Sequence, residues 1–254
     1  MCLLLLALDV VPGRPWLLLG NRDEMHARAT APAQPWDEDA RIVGGRDLEA
    51  GGTWLALNRG NGRFAAVTNV RTGAARRGPR SRGELVAAFV RGVDAPADYA
   101  SAIAQRRDDY GPFNLIVGDR ESAHGASSLL ADAWTFGRGV HVLSNGLPDA
   151  AWPKALRLRA AFTAARYDGQ PSRLIDTQLL DLLADTAQPD DVDLPDTGVG
   201  LELERMLGPI FIRGAQYGTR ASTLAYLCDD NLSVLHERRF GPNGVALGES
   251  RIES

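Results

Sequence analysis

The sequence predicts an α+β fold built mostly from antiparallel sheets. Apolar segments with strand character follow one another across short turn sequences, and the helical segments fall in pairs between these runs of strands. Single helices after each strand would instead indicate a doubly wound parallel sheet. The chain has 254 residues, 44% of them hydrophobic and 24% charged, which is typical of a globular protein with a large core. We therefore expect a two-layer or four-layer arrangement of antiparallel sheets and helices.

The first two strands are predicted to form an antiparallel hairpin. Residues 2–9 and 16–20 are apolar, and the turn sequence between them contains two prolines and a glycine. A second hairpin is predicted from 53–58 to 63–69, because Asn61-Gly62 suits a tight turn. Further strands are predicted at 113–118, 132–136, 139–144, 209–213, 221–228 and 232–238.

Four helices are predicted, in two pairs. Ser81 and Glu84 have capping-box spacing ahead of an apolar run, which indicates a helix start. The second helix follows Pro96, and two more cover 152–166 and 173–185. The acidic, proline-rich stretch 186–200 is typical of a solvated loop within one domain, so a single domain over 1–254 is expected.

Composition also indicates which functions to set aside. The net charge of −4 argues against nucleic-acid binding. Two cysteines give neither a disulfide framework nor zinc-site spacing, and no apolar run approaches the ~20 residues needed to cross a bilayer. Asp9 interrupts the initial apolar run, which lacks the basic start of a signal peptide. A reduced, cytoplasmic protein is expected, and the single lysine, Lys154, is interpreted as compositional bias.

Cys2 has two interpretations. Removal of Met1 would leave Cys2 with a thiol and a free α-amine, whose ordinary pKa is near ~8. A nucleophile that carries its own base is the arrangement of N-terminal-nucleophile enzymes. Alternatively, Cys2 is a small apolar residue that opens a buried strand. Only the surrounding residues can decide between them.

The charged stretch 21–24 ends the second strand, and the hairpin should return it beside Cys2. Arg22 is then placed to lower the pKa of the thiol and to hold an anionic group, while Asp23 is placed to orient the α-amine. The alternative is a solvated turn with a weak surface ion pair. The arginine-rich stretch 71–82 similarly predicts an exposed loop or, alternatively, a cationic rim.

Several motifs, in order along almost the whole chain, resemble the NRDE family, which includes the transport and Golgi organization proteins of eukaryotes and many bacterial relatives. These motifs are "MC" at 1–2, "NRDE" at 21–24, "GGTWLAL" at 51–57, "TN" at 68–69, "SRGELV" at 81–86, "FNLIVGD" at 113–119, "LSN" at 143–145 and "YGTR" at 217–220. The resemblance implies an N-terminal-nucleophile (Ntn) hydrolase fold, a four-layer αββα sandwich of two antiparallel sheets between helix pairs.

Within that superfamily the family is most similar to the bile-salt hydrolase and penicillin V acylase group. The resemblance assigns Cys2 as the nucleophile and Arg22, Asn69, Asn145 and Arg220 as its partners. Each partner also has a structural interpretation: a hairpin turn for Asn145-Gly146, a strand end for Asn69, and a surface ion pair for Arg220.

The aspartate of the acylases is matched least well. It lies a few residues beyond the arginine there, whereas Asp23 adjoins Arg22 here. Adjacent strand residues point in opposite directions, so Glu24 is a possible substitute for Asp23.

Two functions are consistent with these residues. The first is a cysteine amidohydrolase acting on non-peptide amides, with no metal or organic cofactor. The second is a non-catalytic protein that binds and delivers haem or acyl-CoA-type lipids, holding a small amphipathic anion through Arg22, Glu24, His26 and Arg220. Cys2 and His26 are then conceivable haem ligands. Neither function requires nucleic acid or membrane insertion.

Overall fold

The structure is a computed structural model that describes residues 2–73, 78–167 and 172–253. The described residues form thirteen β-strands and five α-helices. The strands are β1 (Cys2–Val11), β2 (Arg14–Met25), β3 (Thr30–Trp36), β4 (Asp39–Asp47), β5 (Leu55–Asn58), β6 (Arg63–Asn69), β7 (Phe113–Gly118), β8 (Ala123–Ser127), β9 (Trp134–Thr135), β10 (Gly139–Leu143), β11 (Tyr217–Leu227), β12 (Ser233–Phe240) and β13 (Ala246–Glu253). The helices are α1 (Arg82–Arg91), α2 (Pro96–Gln105), α3 (Pro153–Ala164), α4 (Ser172–Leu182) and α5 (Leu201–Leu207).

The strands form two antiparallel sheets. The first sheet has the order β10-β1-β2-β11-β12-β13, and the second has the order β3-β4-β5-β6-β7-β8-β9. The predicted α+β class and the hairpin of β1 and β2 are confirmed. The strands predicted at 63–69 and 113–118 are confirmed residue for residue. Two such sheets with helices are consistent with a sandwich.

Three apolar clusters hold these elements together. One joins β1, β2 and β11 to α3 and α4, and another joins β4 to β7 with α1 and α2. The third combines residues of both sheets, including Leu4, Leu18, Phe64 and Ile116. Burying such continuous apolar surface is the main favourable contribution to folding. Within the described ranges, no helix combines the length and hydropathy needed to span a bilayer.

Successive side chains of β1 and β2 point to opposite faces of the first sheet. Leu4 and Leu18 belong to the cluster shared with the second sheet, whereas Leu3 and Leu19 pack toward α3 and α4. The same period sends even-numbered residues at this end of the hairpin between the sheets and odd-numbered ones toward the helices. This alternation determines where the residues of the "NRDE" segment act.

The strand predicted at 209–213 is wrong. This segment is irregular, because its polar backbone groups bond outside any strand ladder. The Ile210 carbonyl accepts from the Asn21 side chain at 2.8 Å, and the Ile212 amide donates to the Thr219 hydroxyl at 2.9 Å. Its apolar side chains are buried, and burial alone produced the strand-like pattern.

Five elements were missed: β3, β4, β8, β13 and α5. Strand β3 contains Pro32 and Pro35 and lies at a sheet edge, where proline is tolerated. Strand β13 is largely exposed at the edge of the first sheet, so its sequence shows no apolar alternation.

The capping box predicted at the start of α1 does not form, although the helix does. Ser81 is the N-cap residue but makes no side-chain capping bond. Glu84 pairs instead with Arg80, four residues earlier. The competing guanidinium therefore takes the carboxylate that the capping box needed.

Candidate active site

Cys2 and Arg22 are cross-strand partners at the open end of the first hairpin. Each is only 7% exposed, and the strand period places both side chains on the face between the sheets. The predicted return of the "NRDE" segment beside Cys2 is therefore what the register gives. A buried thiol lies next to a buried guanidinium.

A cavity of about 300 Å³ opens at Cys2. Both sheets, α1 and the loop before β5 contribute to its wall. Its lining residues are Cys2, Arg22, Asp23, Glu24, Thr53, Trp54, Val67, Thr68, Asn69, Arg82, Gly83 and Tyr217. Five of the residues singled out from the sequence are thus brought together in this wall.

Burial dominates the electrostatics of the thiol. Desolvation raises the pKa of Cys2, and the negative charge of Asp23 raises it further. Arg22 and the backbone amide of Asp23 act in the opposite direction without reversing the shift. The expectation that Arg22 lowers the thiol pKa holds for its own contribution, but the net shift is upward.

The Asp23 side chain lies on the helix-facing side of the first sheet, as the alternation requires. It is 1% exposed, and its Oδ1 accepts a hydrogen bond from Thr219 Oγ1 at 2.7 Å. Burial raises the pKa of Asp23, while Lys154, Thr219 and Arg22 favour its charged form. The charge of Asp23 acts on the Cys2 thiol, whereas the predicted role of Asp23 or Glu24 at the α-amine stays a prediction.

Lys154, interpreted above as compositional bias, is a buried charge beneath this site. Its side chain lies in the first turn of α3, is 2% exposed, and donates from Nζ to the Leu207 carbonyl at 3.2 Å. Burial lowers the pKa of Lys154 to about 8, against the opposing attraction of Asp23. No sequence pattern indicated this role, because the contact joins segments more than fifty residues apart.

Asn69 and Asn145 are hydrogen-bonded to each other, but Asn145 is more deeply buried than Asn69. Asn145 is fully buried, and its Nδ2 donates to the carbonyl oxygen of Asn69 at 2.9 Å and to Asn69 Oδ1 at 3.1 Å. Asn69 lines the cavity, whereas Asn145, among the described residues, is not part of its wall. Asn145 occupies the Oδ1 of Asn69. Asn145 therefore positions Asn69.

Arg220 lies in an adjoining cavity of about 230 Å³, which shares Arg22, Thr53 and Trp54 with the cavity at Cys2. A β-bulge inserts Arg220 between two residues of β11 that pair with Asp23 and Arg22. A bulge redirects a side chain locally, and this one turns Arg220 toward Thr30 Oγ1, 3.1 Å away.

Glu24 and His26 differ in their relation to the cavities. Glu24 lines the wall near Cys2, with a carboxylate oxygen 3.8 Å from Arg22 and 3.9 Å from Arg28. His26 packs against Gly218 and is absent from the described lining of the cavities around Cys2 and Arg220. Burial lowers the pKa of His26.

The arginine-rich stretch 71–82 is not simply an exposed loop. Arg71 is 7% exposed and pairs with Glu204 at 2.5 Å, and Arg82 lines the cavity at Cys2. Arg80 remains at the surface beside Glu84. Arg76 and Arg77 lie outside the described residues.

Sequence reasoning missed several wall residues, although the motifs contained them. Trp54 and Tyr217 belong to "GGTWLAL" and "YGTR". As for metals, the described part of the chain holds no group of three or more His, Cys, Asp or Glu side chains suited to an ion.

The family match and the individual relatives of this chain carry the same family description. Residues 1–242 match the family described as Transport and Golgi organisation 2. The Bos taurus Transport and Golgi organization protein 2 homolog is 29% identical over 240 residues, covering 87% of this chain and 85% of the relative. The Homo sapiens homolog is 29% identical over 250 residues, covering 92% and 90%. Transport and Golgi organization protein 2 of Drosophila melanogaster is 28% identical over 256 residues, covering 91% and 89%.

Proposed function

The chain belongs to the Transport and Golgi organisation 2 family, and from this premise and the site geometry we propose that it is a cysteine amidohydrolase that cleaves non-peptide C–N amide bonds. The relatives' names denote transport and Golgi organization and no reaction. The proposal therefore rests on one observation: Cys2 shares a single cavity wall with Arg22 and Asn69.

The proposal includes the Ntn-hydrolase arrangement of the fold. Helices α3 and α4 pack on one face of the first sheet, and α1 and α2 pack on the second sheet. The remaining cluster fills the space between the two sheets. This order supports four αββα layers, with the nucleophile at the start of β1 between the two central layers.

The first chemical step is attack by the Cys2 sulfur on the amide carbonyl carbon. The thiol proton passes to the α-amine of Cys2 and then to the leaving nitrogen, so that the C–N bond breaks and a thioester remains. Water then attacks the thioester, releases the carboxylic acid and returns the proton to the sulfur. These steps require that Met1 be removed, because only then is the α-amine free.

The raised thiol pKa makes this built-in base necessary. A neutral buried thiol is a poor nucleophile, and the thiolate is the reactive form. Proton transfer to the α-amine during attack avoids a free thiolate before substrate arrives. Arg22 then favours the negative charge that develops next to it.

Asn69 is placed to stabilise the oxyanion. Asn69 lines the cavity and Asn145 occupies its Oδ1, so we assign the oxyanion contact to the amide nitrogen of Asn69. Hydrogen-bond donors that point at a developing oxyanion in a water-excluded site supply much of the rate enhancement in acyl transfer. Asn145 acts here as a positioning residue.

An acylating probe specific for thiols tests the proposal, with intact-mass analysis and a panel of simple amides for turnover. We expect a single adduct on wild-type protein that lacks Met1, no adduct at this site in Cys2→Ala, and unchanged labelling and turnover in Cys228→Ala. Cys228 is the matched control because it is the other free cysteine and its thiol pKa is also raised by burial. Turnover by protein that retains Met1 in full would refute the mechanism.

A second function, binding without chemistry, is favoured by the raised pKa of the Cys2 thiol, which disfavours the reactive thiolate, and by the transport named in the relatives. In this proposal the same cavities hold haem or an acyl-CoA-type lipid. Cys2→Ala would then keep ligand affinity, whereas it abolishes turnover by a hydrolase. A haem titration of wild-type protein that gives no Soret shift would remove haem from this proposal.

A further inference from the structure

The cavity around Arg220 has two kinds of wall. Its apolar side includes Pro32, Trp54, Phe240 and Leu247, and its charged side contains four arginines and two acids. The charged residues are Arg22, Arg46, Arg220, Arg239, Asp47 and Glu237. A concave site with an apolar body and a few converging polar groups is the usual form of a small-molecule site.

Most of these charges already have partners. Arg46 pairs with Glu38 at 2.6 Å outside the cavity, and Asp47 pairs with Arg28 at 2.8 Å. The remaining acid, Glu237, lies 3.7 Å from the guanidinium of Arg239, and its Oε1 accepts from the Ala33 amide at 2.9 Å.

Arg22 and Arg220 are the two arginines of this wall that share a partner, whereas Arg239 donates to the Ser250 hydroxyl at 2.6 Å. Both approach the hydroxyl of Thr30, at 3.4 Å and 3.1 Å, so the two guanidinium groups lie side by side. Other acceptors of Arg220 are backbone carbonyls, including that of Arg28. A carboxylate oxygen of Glu24 is 3.8 Å from Arg22, which is beyond hydrogen-bond distance.

Arg22 is the informative member of this pair. Arg22 is only 7% exposed. Among the described residues, the only hydrogen bond of its guanidinium is the 3.4 Å bond to Thr30 Oγ1. A guanidinium has five N–H donors, so this one bond to Thr30 leaves most of them for a ligand in the cavity. Because it lines both cavities, Arg22 presents these donors at their junction.

We propose that this second cavity binds the carboxylate of a small apolar molecule, with the carboxylate on Arg22 and Arg220 and the apolar body against Trp54, Phe240 and Leu247. Planar guanidinium groups match a carboxylate in bidentate geometry. The volume of about 230 Å³ is below that of a drug-sized ligand site, which limits the body to a short chain or single ring. Glu237 in the wall disfavours a dianion.

The carboxylate-bearing molecule is the non-reacting part of the amide that Cys2 cleaves. This identification of the substrate class rests on the proposed function, whereas the binding itself needs no chemistry at Cys2. Hydrolysable substrates are therefore amides that carry a carboxylate a few bonds from the scissile carbonyl.

Calorimetric titration of wild-type protein and of Cys2→Ala with octanoate, octanamide and octylammonium tests the binding. Wild-type protein and Cys2→Ala should both bind octanoate, and octanamide should bind about tenfold more weakly or worse, as expected for loss of a charge-assisted contact. Equal affinity for the acid and the amide, or no binding of octanoate, would overturn the proposal. Octyl phosphate binding more tightly than octanoate would overturn the assignment to a carboxylate.

Variants locate the site. Arg220→Met should weaken octanoate binding by about tenfold, and Arg22→Met should weaken it at least as much. Leu247→Asp is a variant expected to fold, since Leu247 is 62% exposed, and it should weaken octanoate binding by adding a negative charge to the apolar wall. Arg41→Met is the control, because Arg41 pairs with Asp39 at the surface. Unchanged octanoate affinity in folded Arg220→Met and Leu247→Asp would place binding elsewhere.

Turnover separates this inference from the proposed function. Paired anilides, one of glutaric acid with a free carboxylate and one of pentanoic acid without it, are compared in wild-type protein. Preferential hydrolysis of the glutaric anilide supports both the carboxylate site and the hydrolase activity. Equal hydrolysis of the two anilides would refute the carboxylate site but not the hydrolase activity. Octanoate binding without hydrolysis of any amide would refute the hydrolase activity but not the carboxylate site.

Discussion

The two faces of the first sheet differ sharply where β2 passes Cys2. On the face between the sheets, Cys2 and Arg22 border cavities, and Arg22 has few partners. On the helix-facing side, Asn21 is fully buried and bonds to two carbonyls, at 2.9 and 2.8 Å, and to the Ser222 hydroxyl at 2.6 Å. The face between the sheets, which borders cavities, is called the open face. The helix-facing side, where polar groups are hydrogen-bonded, is called the closed face.

The closed face continues beyond the strand itself. Glu204 of α5 pairs with Arg71 and also accepts from the amide and hydroxyl of Thr197. The Arg71 guanidinium lies over the ring of Trp152, just before α3. Arg71 also donates its backbone N–H to Asn145, so the closed face reaches the asparagine pair of the cavity.

The four residues of the "NRDE" segment serve two functions, stability and ligand contact, because side chains alternate between the two faces of the strand. Asn21 and Asp23 bond on the helix-facing side, while Arg22 and Glu24 face the cavities; Asp23 also borders the cavity at Cys2. Changes on the closed face should therefore appear first as lost stability, and changes on the open face as lost activity or binding.

The largest expected effect tests the closed face. Glu204→Ala leaves Arg71 buried without its carboxylate, and breaking a buried ion pair in this way costs about 3–5 kcal/mol of unfolding free energy. Denaturant unfolding measures the loss. Arg71→Met combined with Glu204→Leu should recover much of it, because no buried charge remains. A loss below about 1 kcal/mol in Glu204→Ala would show that the pair resembles a surface one.

The open face is tested at Asn69. Asn69→Ala removes the proposed oxyanion donor and should lower kcat by about 10²–10³-fold with little change in KM. Stability should change little, since Asn69 is only half-buried at a strand end. Asn145→Ala should lower both kcat and stability, because Asn145 is fully buried. Loss of stability without loss of kcat in Asn69→Ala would assign Asn69 to the closed face.

Much of this division could be predicted from the sequence, and the exceptions have physical causes. Alternation and the hairpin placed Arg22 beside Cys2, and they set the bonded carboxylate oxygen of Asp23 toward Thr219 although Asp23 also borders the cavity. The position of Arg220 depends on a bulge, which needs the partner strand to be seen. Lys154 and Glu204 meet their neighbours only through long-range packing, for which a single sequence carries no local pattern.

Lys154 gives a pH-dependent test of the closed face. Its pKa is about 8 in the folded protein and 10.5 ordinarily, so between these values the unfolded chain holds the extra proton. Stability therefore rises with pH through this window, and below pH 8 the buried charge costs about 3 kcal/mol. Lys154→Met should be more stable than wild type at pH 7 and lose that advantage by pH 10.5. Parallel stability–pH curves for the two proteins would contradict this.

Lys154→Met should also change the thiol. The ammonium attracts the Cys2 thiolate, so its removal should move the pH profile of Cys2 alkylation to higher pH. Lys154→Arg, which keeps the charge, should restore the profile. An unchanged profile would separate the closed face from the chemistry at Cys2.

The smallest expected effect concerns Glu24, the acid of the motif on the open face. Its oxygens are 3.8 and 3.9 Å from two arginines, and its side chain is 30% exposed, so Glu24→Gln should change stability by less than about 1 kcal/mol. Binding of octanoate should tighten slightly, because Arg22 loses a competing charge. Asp23→Asn, one residue earlier, removes a carboxylate that is 1% exposed and bonded to Thr219, and its stability should change more than that of Glu24→Gln. The reverse order of these two effects, measured by denaturant unfolding, would mean that the strand period does not separate the two functions.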